Sequence, residues 1–572
     1  MSRRLLFLIC LFLHSISFFA QGAHRYDIVI DEIFPDPSPA VGLPSAEFIE
    51  LRNISLLPIE LNGWQISASD HVATIRTGFI LQPDSFVIVC SPASQKDYEN
   101  FGIAIGITGF PSLGNEGSLI SLLDPSGMLI HAVSYHKSWY GNELKMEGGW
   151  SLEMIDPHNP CTGSLNWKAS VDTRGGTPGK INSVDSPNHD SEAPELISSV
   201  CLNQHEIMVV FNEPLDSIST TNLQWYSLSG IGSPARAELQ LPMLDKVKLS
   251  FESPLDSNII YQLSVQGLTD CAGNAILQMA TVPVALTHHG DPLDLVINEI
   301  LFNPLPNGYD YVEIYNRSRK TIDIRRWALA NRKSDGTLYN IRFMAEDARP
   351  VFPGDYLVFS ENVDWISQHY QVEHTGNLIQ LESLPSLPDD EGDLVLLDNT
   401  GTLIDEVAYR HQWHSPLLAS EQGVALERMN YDGPSQDPEN WSSAAATAGF
   451  GTPTFRNSEF SGELAKGNSL VVSPKIFSPD NDGYEDFCFL QYQFVQAGYS
   501  GNLTIFNASG NPVRYLLRSA SIAREGRIRW DGLDENGSKL PMGIYIFFLE
   551  IFSITGEVRQ FKSAVTLVRR TN

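Results

Sequence analysis

The chain contains itself twice, and the repeated blocks are the size of β-strands. Asp27–Ile33 (DIVIDEI) returns as Asp294–Ile300 (DLVINEI), and Glu47–Asn53 (EFIELRN) as Asp310–Asn316 (DYVEIYN). Further on, Ile80–Val89 answers to Val351–Phe359, and Gly117–Gly127 to Gly392–Gly401. Trp64 pairs with Trp327, Trp150–Glu153 with Val424–Glu427, Asn166-Trp167 with Asn440-Trp441, and Thr177-Pro178 with Thr452-Pro453. Each block is a short run of Val, Ile, Leu, Tyr and Phe bounded by Gly, Pro, Asn and Asp, the pattern of strands joined by tight turns. Helical periodicity is almost absent. Phe48 and Glu50 point to one face of their strand while Glu47, Ile49 and Leu51 point to the other, so one face can pack against a second sheet. A two-sheet sandwich follows.

The blocks run in order from VINEI through YVEIYN, a hydrophobic strand with Trp, PGDYLVF and DLVLLDNTGTLIDEVAY to a closing ALER. This order resembles the lamin-tail domain, an Ig-like sandwich. The resemblance covers residues 26–183 and 293–458. The second copy fits it more cleanly, because the first carries a longer loop from Pro35 to Pro44.

Between the copies, residues 192–288 hold IMVVFNEPL (Ile207–Leu215) and LTDCAGN (Leu268–Asn274). These resemble the bacterial Ig-like domains of surface-layer proteins. The alternating apolar residues end at an Asp/Gly/Asn turn, as strands do. Residues 469–572 hold FSPDNDGYED (Phe477–Asp486) and WDGLDENG (Trp530–Gly537). They are similar to the C-terminal domains of gliding-motility-associated and type IX-secreted proteins and to the flagellar hook-capping Ig-like domain. That likeness implies a sorting role. The expected fold class is all-β, with four Ig-like β-sandwich modules in series.

Residues 1–22 run from Arg3 and Arg4 through the apolar Leu5–Leu13 to small residues at Ala20 and Gly22. That is the order of a secretory signal peptide, and no stretch is long enough for an integral membrane span. The net charge is −30, with acidic residues spread along the chain. A surface of that sign repels phosphate backbones, so nucleic acid is not an expected partner. An exported chain can oxidise its cysteines. Cys90 with Cys161, and Cys201 with Cys271, are the expected disulfides because each pair falls within one module, leaving Cys488 free; buried unpaired thiols are the competing reading.

Asp480, Asp482 and Asp486, with Gly483 allowing a bend, have the alternate spacing by which a loop wraps oxygens around calcium. A polar turn is the competing reading, since Gln491 stands where a bidentate Glu belongs. No cofactor is otherwise required. Glu32/Glu299 and Glu50/Glu313 match between copies and read as framework hydrogen-bond partners, because paired catalytic carboxylates need a cleft. Trp64/Trp327 and Trp167/Trp441 likewise read as packing. Trp139 and Trp413 fall just past strand ends and are the candidate binding residues, for contact with a protein or glycan ligand. With no catalytic motif, the expectation is a non-catalytic exported binding or scaffolding protein, secreted or on the outer surface of a Gram-negative bacterium. An exported hydrolase (a glycosidase or nuclease) or an accessory subunit of one, and a structural envelope component, are the alternatives.

Overall fold

A computed structural model describes residues 23–69, 71–462, 467–480 and 482–569. The expected signal peptide, residues 1–22, lies outside the described residues. The chain is all-β, and it divides into two compact units, Met1–Ala285 and Leu286–Asn572.

In the first unit, a six-stranded sheet runs in the order Trp167–Ala169, Leu152–Met154, Ile28–Phe34, Phe48–Asn53, Phe86–Cys90, Ala104–Gly106. It faces a four-stranded sheet ordered Leu129–His136, Gly117–Leu123, Gln65–Ala68, His71–Thr74. The alternation read from Phe48–Leu51 places Ile49 and Leu51 in the core between the sheets, with Ile66, Ile120, Leu122 and Val133 opposite. The second unit repeats this plan. Its six-stranded sheet runs Leu378–Gln380, Tyr356–Ser360, Tyr311–Asn316, Leu295–Leu301, Leu426–Arg428, Trp441–Ser443, and its four-stranded sheet Leu338–Phe343, Ala328–Arg332, Glu391–Leu397, Leu403–Arg410.

Both faces of each six-stranded sheet are buried, which strand alternation alone does not convey. Over the outer face in the first unit, Phe34, Phe48, Ile88 and Cys90 pack under Tyr98, which belongs to a short helix (Gln95–Tyr98), and under Leu43 from the Pro35–Pro44 loop. In the second unit, Leu301, Tyr311 and Val358 pack under Ile366 of the helix Val363–His369 and under the following Tyr370. The cover comes from short helices and irregular loops, whose apolar residues are isolated and carry no strand period.

The first unit also contains a four-stranded sheet (Leu196–Asn203, Glu206–Phe211, Lys246–Ser250, Arg236–Leu239) and a three-stranded sheet (Tyr226–Leu228, Tyr261–Val265, Ala280–Val284). The second unit ends in a three-stranded sheet (Ser469–Ser473, Cys488–Gln493, Glu525–Trp530). A five-stranded sheet accompanies it, ordered Ile476–Phe477, Val558–Leu567, Gly543–Phe552, Tyr499–Asn507, Pro512–Ile522. Among the described residues, no helix is long and apolar enough to cross a membrane.

The cysteine pairing differs from the expected one. Cys161 is bonded to Cys271, with Cα atoms 6.4 Å apart, while Cys90, Cys201 and Cys488 are free. Cys90 is packed under Tyr98 and Cys201 lies on the strand Leu196–Asn203, so neither meets its expected partner. The bond crosses the module boundary, joining the end of the first sandwich to the hairpin turn of the next module.

Candidate functional site

In each sandwich copy three glutamates lie side by side across neighbouring strands. Glu32 is in register with Glu50 on one side and Glu153 on the other, and Glu299 with Glu313 and Glu427. All six are fully buried. A bulge in the first strand of each copy, between Ile30 and Glu32 and between Ile297 and Glu299, turns the glutamate onto the outer face.

A strap of chain after the last sandwich strand closes over each row and supplies the donors. In the first copy, the Thr177 amide donates to Glu32 (2.8 Å) and its hydroxyl to Glu153 (2.8 Å). The Gly179 amide donates to Glu50, and the Ser183 hydroxyl to Glu153 (2.7 Å). In the second copy, the Thr452 amide donates to Glu299 (2.9 Å) and its hydroxyl to Glu427 (2.8 Å). The Thr454 amide then reaches Glu313 (2.6 Å), and the Ser458 hydroxyl reaches Glu427 (2.9 Å). Asn182 and Asn457 pin the two straps by donating to main-chain carbonyls of their sheets. The strap lies so close that a Cβ on Gly176 would sit 2.7 Å from the Glu32 carboxylate. Gly179 and Thr454 occupy the same left-handed station (φ 77° and 74°). A threonine is strained there, and its hydroxyl accepts from the amides of Glu373 (3.1 Å) and His374 (3.0 Å) in exchange.

The rows differ at the bulged position. Asn298 donates to Glu313 (2.7 Å) and to Asn457 (2.6 Å). Its counterpart Asp31 has no donor on either carboxylate oxygen, and one oxygen each of Glu32 and Glu50 also lacks one. Burial, with the mutual repulsion of the carboxylates, raises Asp31 to about 7 and holds Glu32 and Glu50 well above the usual range. Asp31 thus lacks what the Asn298 amide supplies in the other copy. Burial and Glu427 likewise raise Glu299 to about 8.

Residues 21–137 and 290–411 each match the Lamin Tail Domain. The matches stop short of Glu153 and Glu427 and of both straps, so the duplicated clasp is completed by residues outside the matched segments. No match to a curated protein accompanies them. Among solved structures, the N-terminal part of the bacterial S-layer protein SbsC is 14% identical over 29% of this chain, with a TM-score of 0.16. The chain spans 40% of that structure's length. CopC from Methylosinus trichosporium OB3b is 18% identical over 18% of this chain and 97% of its own, with a TM-score of 0.14. A Ca2+-stabilized adhesin with which an Antarctic bacterium binds ice is 10% identical over 96% of this chain and 100% of its own, with a TM-score of 0.12. At scores this low none of them bears on function.

The predicted contact residues Trp139 and Trp413, just past the matched segments, are half-buried. Trp139 packs against the first core, its ring centroid 6.2 Å from Trp167, and Trp413 repeats this against Trp441 at 6.2 Å. The loops that differ between the modules come together in the first copy. The Gly149 amide donates to the Asp36 carbonyl (2.7 Å), and a Cβ on Gly148 or Gly149 would strike the Ser38 or Pro39 carbonyl. The loop Pro35–Pro44 is thus seated on the end of the loop Tyr140–Glu147.

Two acid clusters bring ligand oxygens within 4.8 Å of one another. One is the expected Asp480, Asp482 and Asp486, where the Gly483 amide donates to Asp486 (2.9 Å) and the Tyr484 amide to Asp482 (2.9 Å). The other, Asp190, Glu213 and Asp270, escaped the sequence reading. Its members are spread over 80 positions, although Glu213 and Asp270 stand in the quoted FNEPL and LTDCAGN blocks. Burial and its acidic neighbours raise Glu213 to about 8. A cleft of about 480 Å³ beside Asp190 is lined by His158, His189 and the Cys161–Cys271 disulfide.

Proposed function

We propose that this chain is a non-catalytic, exported surface protein that binds and scaffolds through the loops of its two lamin tail modules. The observation that carries the reading is the clasp. The carboxylates that recur between the copies are the chain's best candidates for paired acid–base chemistry, and all six lie under a strap, hydrogen-bonded to it. Solvent reaches none of them, and general acid–base catalysis needs substrate within hydrogen-bond reach. What remains available for contact is loop surface: Trp139, Trp413 and the paired loops of the first module.

Residues 469–572 act, in this reading, as a sorting module, and Asp480, Asp482 and Asp486 bind calcium to order its first loop. No other cofactor is involved. The partner is a protein or glycan at the outer surface of a Gram-negative cell. Fractionating cells that carry the chain with and without residues 469–572 tests the sorting role. Surface display is expected to be lost on truncation, and unchanged display overturns it. A polysaccharide and DNA hydrolysis screen, with calcium and with chelator, tests the non-catalytic role. Turnover abolished by substituting specific carboxylates would refute it.

A further inference from the structure

We propose that the free edge strand Leu338–Phe343 of the second lamin tail module docks an acidic, extended peptide strand. This strand pairs with Ala328–Arg332 on one side and, among the described residues, with no strand on the other. An open edge presents unpaired amides and carbonyls, the template on which extended peptides add to a sheet. The same edge in the first module is blunt: His71–Thr74 has four residues, and Val72 is its one exposed large apolar side chain. Leu338–Phe343 has six residues and exposes Tyr339, Ile341 and Phe343 by 38%, 48% and 47%.

Charge selects the occupant. Residues 317–349 hold nine Lys and Arg against four Asp and Glu, a local excess of +5 in a chain of −30. Three of the cations, Arg326, Lys333 and Arg342, border the edge, and of these Arg326 also faces Glu346 at 3.9 Å. Arg326 lies over the Phe343 ring at 5.4 Å and Lys333 over Tyr339 at 5.4 Å. Arg342 donates to the Ser383 hydroxyl (2.6 Å) and to the Ile341 carbonyl (3.2 Å), a bond an incoming strand would replace, and neither it nor Lys333 meets a carboxylate among the described residues. A bulge at Asn340 (φ 49°) interrupts the ladder, leaving Ile341–Phe343 as the stretch that can pair. Two copies of so acidic a chain repel each other, which disfavours self-pairing. An anionic polysaccharide would meet the charges and leave the main-chain groups unused. The inference deepens the binding role proposed above and does not depend on the sorting role.

The test uses the purified chain and two labelled peptides, one alternating Glu with Val and the other alternating Lys with Val. Fluorescence anisotropy reads binding, and amide hydrogen exchange reads the edge. The Glu peptide alone is expected to bind and to slow exchange at Ile341–Phe343. Lys333→Glu with Arg342→Glu should weaken it about tenfold, as loss and reversal of two exposed attractions would. Val72→Glu in the first module should leave it unchanged. If the reversal variant melts early, Lys333→Gln with Arg342→Gln replaces it, with a smaller loss expected. Equal binding of both peptides overturns the proposal. So does binding without amide protection that dextran sulfate competes away, or dimerisation seen by sedimentation that the charge variants abolish.

Discussion

Asp31 and Asn298 occupy one position in two copies of the same fold, and a single atom separates an orphaned buried acid from a satisfied amide. The groups raised by burial in the first module contribute stability that is fully present below their unfolded values, near 4. That stability is lost as pH rises through the folded values, about 7 for Asp31. Melting temperature of the first module should therefore fall from about pH 6.5, above which the neutral His131 no longer adds an opposing slope, as pH rises through the folded values. Asp31→Asn should raise stability at pH 8 by about 1–3 kcal/mol and flatten that slope, as read by thermal melts across pH. A second exchange lies nearby. The Ile30 amide donates to His131 Nδ1 (2.8 Å), whereas the matching Ile297 amide donates to Asp405 (2.8 Å), which also holds the buried Arg428 (2.9 Å). In the first copy Met154 stands where Arg428 does, and burial lowers His131 to about 3, keeping the ring neutral. Asp405→Ala should cost about 3–5 kcal/mol in urea unfolding, since it strands a buried guanidinium. Asp405→His with Arg428→Met should recover most of that loss.

The strap is the element that makes each module more than a sandwich. Thr452→Val removes a hydroxyl that serves Glu299 (3.0 Å) and Glu427 (2.8 Å). It should destabilise the module by about 1–3 kcal/mol and speed hydrogen exchange along residues 449–459 before the core strands. The strands and their pairing into a repeat were legible because alternation and β-branched runs write themselves into composition. Glu32, Glu50, Thr177 and Thr452 were legible as matches too. Their meeting was not, because Thr177 lies 145 positions from Glu32 and the bond is made by a main-chain amide that every residue type carries. The half-burial of Trp139 was hidden for a related reason. A position just past a strand end says nothing about the Trp167 ring that packs beside it.

Across the first unit, the Cys161–Cys271 bond ties two modules whose cysteines each looked self-sufficient. Peptide mapping under non-reducing conditions should recover this crosslink and leave Cys90, Cys201 and Cys488 as thiols. Reduction should cost the first unit about 2–5 kcal/mol, visible as faster exchange around residues 156–161 and 270–274. Sequence separation hid the pairing, since 110 residues lie between partners that only folding brings together. That spacing also orders events in time. A ribosome releases Cys161 a full 110 residues before Cys271, so until then the first sandwich holds that sulfur without its partner. Cys90, nearer in sequence, lies buried beneath Tyr98 in the finished fold, where it cannot compete for that bond.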